Sequence, residues 1–329
     1  MIFTHLLEMA PTIPLYNKTN FQIEEQEVLP TTSGGYLVET FLGEGRFGKV
    51  ARCLKLKTNE KMALKIVRTD AGTTGKREVA MLRRLRKLDE DKNNLVRMTE
   101  YFRHKGHYCL VFEMLDTSLH DLMKERNSKP LCLSGIRVIS QQMLVALNAL
   151  KSIGLLHTDI KPDNVMLVNH KLQPFRVKLI DFGLAATVST MFLGTIQALG
   201  YRAPEVILGL PLDEAVDMWS LGCVLAFLKN KEFSVPKWRL NTQKEYKLKT
   251  DSMTKCRNVK QATEYDDTLA FLSLLKRMLH VDCKKRISPS EALGHRFITM
   301  RHLPRHTHDR SYVTALSLIL STDIQVGSV

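Results

Sequence analysis

The sequence predicts an α+β fold of two lobes, a small β-rich lobe followed by a larger helical one. Three observations predict it. Short runs of strand-forming residues succeed one another from Tyr36, and apolar residues recur at helical spacing beyond Leu115. With 329 residues and 44% hydrophobic content, the chain is also long enough to bury a sizeable core.

The elements follow in order. Residues 1–35 carry little periodicity, contain Pro11, Pro14 and Pro30, and end at Ser33-Gly34-Gly35, so an N-terminal arm is expected. Tyr36-Leu37-Val38, Lys49 to Leu54 and Lys61 to Val67 read as strands. Thr73 or Thr74 is placed to cap a helix whose Met81, Leu82, Leu85 and Leu88 share one face. Two strands follow, near Leu95 to Phe102 and at Tyr108 to Phe112, and a hinge is expected near Glu113 to Asp116. Beyond it, Ile136, Ile139, Met143, Leu147 and Leu150 form a helical stripe that stops at Gly154. Val216 to Leu228 and Leu269 to Leu279 are two further apolar helices. Ser288-Pro289-Ser290-Glu291 carries the N-cap, first-turn proline and reciprocal Glu of a helix start.

Composition narrows the function classes. No apolar run approaches the roughly 18–20 residues that span a bilayer, and the apolar start at Met1 lacks a basic n-region, so no signal peptide and no membrane partner are expected. The six cysteines are scattered without a C-x-x-C, which suggests neither a zinc site nor a disulfide framework and fits a reducing compartment. A soluble, intracellular chain is expected. The net charge of +14 comes without a nucleic-acid-binding motif, and an acidic protein substrate or ATP accounts for it equally well.

The chemistry begins at Gly43-Glu44-Gly45-Arg46-Phe47-Gly48-Lys49-Val50. Glycines so spaced let backbone N–H groups approach phosphate oxygens, and a following strand rather than a helix argues against a dinucleotide fold. A plain glycine-rich hairpin is the competing reading. Lys65 lies in the apolar run of the third strand, where an ammonium is costly unless it meets anions. Phosphates are one such anion and Glu78, one turn before Leu82, is the other; a surface lysine and an ordinary helix glutamate compete with this pairing. The decisive stretch is His157-Thr158-Asp159-Ile160-Lys161-Pro162-Asp163-Asn164, followed by Asp181-Phe182-Gly183. Phosphoryl transfer from ATP needs a carboxylate for the hydroxyl proton, a cation for the moving phosphoryl group and oxygen ligands for Mg²⁺. Asp159 supplies the first and Lys161 the second, and Asn164 with Asp181 supplies the third, in keeping with the oxygen preference of Mg²⁺.

These residues resemble the protein kinase signature set, over about residues 36–302. The resemblance implies a bilobal protein kinase fold, with an N-lobe at 36–115, a C-lobe at 116–302 and a flexible tail at 303–329. Tyr201-Arg202-Ala203-Pro204-Glu205 resembles the end of an activation segment, Asp217-Met218-Trp219-Ser220-Leu221-Gly222 resembles the helix that braces the catalytic loop, and Arg286 is placed to pair with Glu205. A narrower resemblance, to the homeodomain-interacting protein kinases of the proline-directed serine/threonine group, is carried by Leu110 to Leu115, His157-Thr158-Asp159, Val165 to Val168, Ala203 to Pro211 and Phe297 to Met300. It implies Phe112 as gatekeeper and the backbones of Glu113 and Leu115 facing adenine. Leu42, Val50, Ala63 and Met166 are implied around the nucleotide. It further implies Ser/Thr protein substrates, transcription-related nuclear partners, and a nuclear or cytoplasmic location.

The chain departs from that pattern. Thr158 stands where many kinases have Arg, although the named family also lacks Arg there; Thr195 stands where the family has a self-phosphorylated tyrosine, and Ala198, Leu199 and Gly200 replace Ser, Arg and Tyr. After Leu228 the chain skips the segment in which relatives carry a Gly/Pro-rich loop and another helix, and Asn241 to Gln261 reads as polar and loosely ordered. The activation-segment changes put substrate positioning in question more than ATP binding, so an ATP-holding scaffold without efficient transfer is the alternative. A small-molecule phosphotransferase is disfavoured by Ala203-Pro204-Glu205 and Asp217-x-Trp219.

Overall fold

The computed structural model describes residues 23–45, 48–68, 74–188, 196–229 and 259–303. The expectations placed on the arm before residue 23, on Thr195, on the shortened stretch at 230–258 and on the tail from 304 lie outside them. The chain divides into two compact units. One takes the residues up to Gly72 together with Tyr101–Val111, the other Thr73–Glu100 together with the chain from Phe112 onward.

The strands are β1 (Val28–Leu29), β2 (Tyr36–Gly45), β3 (Gly48–Lys55), β4 (Glu60–Val67), β5 (Met98–His104) and β6 (His107–Glu113), in the sheet order β1-β2-β3-β4-β6-β5. Strict alternation fixes which face is buried. Met62, Leu64 and Ile66 of β4 point into the core of the first unit with Ala51 and Cys53 of β3 and Tyr36 and Val38 of β2. Each large apolar side chain so buried contributes about 1.5–3 kcal/mol. The intervening residues Ala63 and Lys65 stay half-exposed on the opposite face. The segment read as an arm reaches further into the fold than expected. Val28 and Leu29 pair with Leu37 and Tyr36, and Ile23 and Leu29 belong to the core. Two residues before a proline are too short a run to show a period, which is why the pattern did not reveal this edge strand.

In the second unit α1 (Thr74–Leu85) buries Glu78, Val79, Leu82 and Leu85. The boundary expected at residue 115 is not the one the contacts draw, because α1 and the chain to Glu100 join the second unit. Arg77 Nη2 donates to the Ala185 carbonyl at 3.4 Å and Arg84 Nη2 to that of Ile153 at 3.1 Å. Leu95 then forms a parallel bridge with Leu179. Among the described residues the remaining α-helices are α2 (Leu119–Glu125), α3 (Leu133–Ser152), α4 (Pro204–Ile207), α5 (Ala215–Lys229), α6 (Val259–Met278), α7 (Pro289–Leu293) and α8 (Arg296–Thr299), with a hairpin of β7 (Val165–Asn169) and β8 (Gln173–Leu179). α3 ends at Ser152, with Ile153 as its C-cap, followed by Gly154 at φ 64°, a left-handed position that glycine adopts without strain. α5 is apolar all round and buried almost throughout, as a central helix must be. α7 starts with the capping box expected at Ser288 and Glu291.

Candidate active site

In the first unit the sheet register sets Gly43 opposite Val50 and Val50 opposite Lys65, one row across three strands. Ala63 lies two residues from Lys65 on that same half-exposed face. Leu42 sits where the β2–β3 register shifts and is about half exposed, at 49%. The three glycines differ in what they do. A Cβ at Gly43 or Gly45 would meet nothing within 4 Å, so the bare backbone there faces open space rather than protein. At Gly48 a Cβ would lie 1.9 Å from the Ile66 carbonyl oxygen, so this glycine is required by the close approach of β3 to β4.

In the second unit the catalytic candidates gather on the loop between Leu156 and Val165. Leu156 bridges to Ala186, which brings the loop beside the segment after Asp181. Asp217, on the first turn of α5, accepts the backbone N–H groups of His157 at 2.7 Å and Thr158 at 2.9 Å. Its carboxyl is pushed above the usual range by burial, which these two backbone donors oppose. Thr158 takes φ 64°, a strained setting for a β-branched residue. It is held there by its hydroxyl donating to Leu184 O at 2.8 Å and by its carbonyl accepting Gln197 N–H at 3.0 Å. The His157 ring donates from Nε2 to Ile180 O at 2.8 Å, accepts Asp159 N–H at Nδ1 at 3.2 Å, and meets Phe182 edge-on at 4.9 Å.

These pins deliver Asp159. Its Oδ2 lies 2.8 Å from Lys161 Nζ and 2.9 Å from Asn164 Nδ2, and Asn164 also donates to the Asp159 carbonyl at 2.7 Å. Both amide hydrogens of Asn164 are thereby directed at Asp159, and its Oδ1 is left as the acceptor end. Ile180 N–H donates to the Asn164 carbonyl at 3.0 Å, so Asn164 and Asp181 are one residue from a direct backbone link. Asp181 adopts φ 61°, ψ 79° and accepts Gly183 N–H at 3.3 Å. An amide oxygen and a carboxylate are hard donors that suit Mg²⁺ completed by phosphate oxygens and water. Among the described residues no group of three or more His, Cys, Asp or Glu is placed to hold a metal ion.

The residues expected around adenine are placed by strand pairing. Asp116 N–H donates to Leu167 O at 2.9 Å and Leu167 N–H to Thr117 O at 2.8 Å, and Ser118 bridges to Met166. The segment from Glu113 through Leu115 thus leads directly onto β7, the strand of Met166. Glu205 and Arg286 form the expected ion pair, two bonds of 2.5 and 2.8 Å, while Arg286 also donates to Ala215 O at 2.7 Å.

One residue of the site escaped the sequence reading. Gln197, buried and at φ 64°, donates from Nε2 to Val216 O and to Ser220 Oγ, both at 2.8 Å, and accepts Ala203 N–H at Oε1, also at 2.8 Å. Its own carbonyl accepts Arg202 Nη2 at 3.0 Å. Leu199, by contrast, is 78% exposed and Gly200 is exposed too.

The model of the protein kinase domain family matches residues 36–298. The chain belongs to the protein kinase domain family. The kinase domain is similar to homeodomain-interacting protein kinase 1 of Mus musculus, 38% identical over 362 positions that cover 89% of this chain and 30% of the relative. It is 38% identical to homeodomain-interacting protein kinase 2 of Mesocricetus auratus over 361 positions, 89% of this chain and 31% of that protein. For homeodomain-interacting protein kinase 4 of Homo sapiens the identity is 33% over 357 positions, 86% of this chain and 58% of the relative. The chain therefore spans under a third of the length of the type 1 and type 2 relatives. Each alignment is longer than the 329-residue chain itself, so the relatives carry segments within the domain that this chain lacks.

Proposed function

We propose that the kinase domain transfers the γ-phosphoryl group of ATP to Ser and Thr hydroxyls of protein substrates, with Mg²⁺ as cofactor. The observation that carries this reading is the Asp159 carboxylate, fixed between Lys161 and Asn164 at 2.8 and 2.9 Å. Asp159 orients the substrate hydroxyl and receives its proton as the new P–O bond forms and the bond to the departing ADP breaks. Lys161 offsets the negative charge on the moving phosphoryl group. Asn164 Oδ1 and the Asp181 carboxylate are the groups that would hold Mg²⁺, which neutralises phosphate charge when bound. The open backbone at Gly43 and Gly45 suits phosphate oxygens. Lys65 supplies them a cation, and Glu78 is the carboxylate that the family resemblance pairs with it.

Proline direction has a local rationale. Gln197 is fastened to the Thr158 carbonyl, next to Asp159, so a peptide presenting its hydroxyl to Asp159 sets its following residue against this turn. The Gln197 carbonyl already accepts Arg202 Nη2 at 3.0 Å and Nε at 3.3 Å, so it is not free for the amide N–H of the residue after the target. A following proline has no N–H to leave unpaired.

The scaffold alternative is not favoured, because Asp159, Lys161 and Asn164 are all present and hydrogen-bonded to one another. The relatives' names state that they interact with homeodomain proteins. On that likeness transcription-related partners and a nuclear or cytoplasmic location are proposed here, which imaging of the tagged chain in cells checks. Incubation with Mg-ATP and a library of Ser-Pro and Thr-Pro peptides tests the activity. Transfer that disappears in Asp159→Asn supports it; a parent chain that gains thermal stability from Mg-ATP but labels no peptide overturns it.

A further inference from the structure

Lys178, on β8, is buried with only 3% of its side chain accessible, yet the phosphoryl-transfer reading assigns it no role. An ammonium in such a place is costly unless carboxylates surround it. Its Nζ donates to Glu113 Oε1 at 2.7 Å and to Asp91 Oδ1 at 2.5 Å. The three residues come from three different segments. Glu113 is the last residue of β6, at the start of the segment that leads onto β7. Asp91 belongs to the turn after α1, where its carbonyl accepts Arg176 Nη2 at 2.9 Å. Lys178 itself is the cross-strand partner of Met166 and stands three residues before Asp181.

Glu113 is fastened on both sides. Its Oε1 accepts Arg97 N–H at 2.8 Å as well as Lys178, and its own N–H donates to Arg97 O at 3.2 Å. The Asp91 carboxyl is held below its ordinary range by the Lys178 hydrogen bond, with burial opposing, as befits a persistent ion pair. One side chain therefore ties Glu113 to the strand of Met166, two of the residues assigned to adenine.

We propose that Lys178 is a positioning residue for adenine, acting through Glu113 and the turn at Asp91. The inference rests on the kinase reading, since it presumes that Glu113 and Met166 meet a nucleotide. Without the ammonium, the Glu113 carboxylate is left without its cation in a place where little water reaches it. The segment relaxes, and the backbone no longer sits at the adenine edge. The loss falls on nucleotide binding more than on peptide binding, because Asp159, Lys161 and Gln197 are anchored through α5 and not through Lys178.

The test measures Mg-ATP affinity by calorimetry, KM for ATP, KM for peptide and melting temperature for the parent chain, Lys178→Met, Lys178→Arg and Asp91→Asn. For Lys178→Met, ATP affinity is expected to fall about tenfold, the scale of change seen when a residue without ligand contact alters a site. KM for ATP rises in step, while KM for peptide moves by less than about twofold. Lys178→Arg, which keeps a cation, recovers most of the affinity. Asp91→Asn carries the test if Lys178→Met does not fold, because Asp91 is largely exposed and its amide replacement is safe for the core; it too weakens ATP selectively. ATP affinity unchanged in every folded variant, or KM for ATP and peptide rising together, overturns the proposal while leaving the kinase reading in place. Failure of the parent chain to bind Mg-ATP overturns both.

Discussion

Replacing Gln197 by Ala removes three hydrogen bonds inside the second unit, to Val216 O, Ser220 Oγ and Ala203 N, each 2.8 Å long. The replacement leaves the Ala203 N–H buried without this partner, whereas the Val216 carbonyl keeps its helical bond within α5. An unsatisfied buried group costs about 1–3 kcal/mol and each further lost hydrogen bond about 1 kcal/mol, so the sum is about 2–4 kcal/mol. Ser220 adds less, because its hydroxyl still donates to Tyr201 O at 2.7 Å. Urea unfolding read by fluorescence gives the stability, and steady-state peptide phosphorylation gives the activity. The backbone bond from Gln197 to Thr158 ties the same residue to the loop of Asp159, so kcat is expected to fall about a hundredfold, the scale of a 1 Å misplacement. Gln197→Glu is the sharper variant. It keeps the acceptor for Ala203 but sets an oxygen against the Val216 carbonyl, so it should be no more stable than Gln197→Ala. A glutamate variant as stable and active as the parent would refute this account of the segment, as would an alanine variant that loses less than about 1 kcal/mol.

Two further outcomes follow from the first unit. Gly48→Ala should cost about 2–3 kcal/mol, because its Cβ would fall 1.9 Å from a backbone oxygen that cannot move aside cheaply. Gly43→Ala should leave stability within about 0.5 kcal/mol and weaken ATP binding instead, a contrast that thermal unfolding and calorimetry check side by side. Glu27 contacts His104 Nε2 at 2.9 Å and Lys105 Nζ at 2.8 Å. Burial alone would raise its carboxyl, but the hydrogen bonds from Lys105 and His104 bring it down from 4.5 to about 2. A depressed folded-state value means stability that is present above pH 4.5 and is lost as pH falls towards 2. Glu27→Gln should therefore be less stable than the parent by about 1–2 kcal/mol at pH 7, with the gap closing between pH 4.5 and 2 in denaturant titrations.

What was legible in the sequence was whatever short spacing enforces. Asp159, Lys161 and Asn164 lie within six residues, so a single loop brings them together whatever surrounds it. Ser288 and Glu291 satisfy each other within one turn. The pair of Glu205 and Arg286, separated by 81 positions, was legible only through the family resemblance. Gln197 and Lys178 were missed for a common reason. A polar residue between apolar neighbours reads as solvent-facing, and only distant partners, Val216 and Ser220 for one and Asp91 and Glu113 for the other, make it a buried anchor. The edge strand at Val28 and Leu29 was too short to carry a period. The grouping of α1 with the second unit depends on Arg77 and Arg84 reaching carbonyls at positions 185 and 153, which local pattern cannot foresee.

The proposed function places the transfer step, and not nucleotide binding, on Asp159. Rapid-quench single turnover, with the chain in excess over γ-labelled Mg-ATP and a Ser-Pro peptide present, measures that step alone. The parent should label the peptide, and Asp159→Asn should slow transfer by about 10²–10⁴-fold while ATP affinity stays within about threefold. Transfer that persists in Asp159→Asn, or a loss of affinity as large as the loss of rate, would contradict the account.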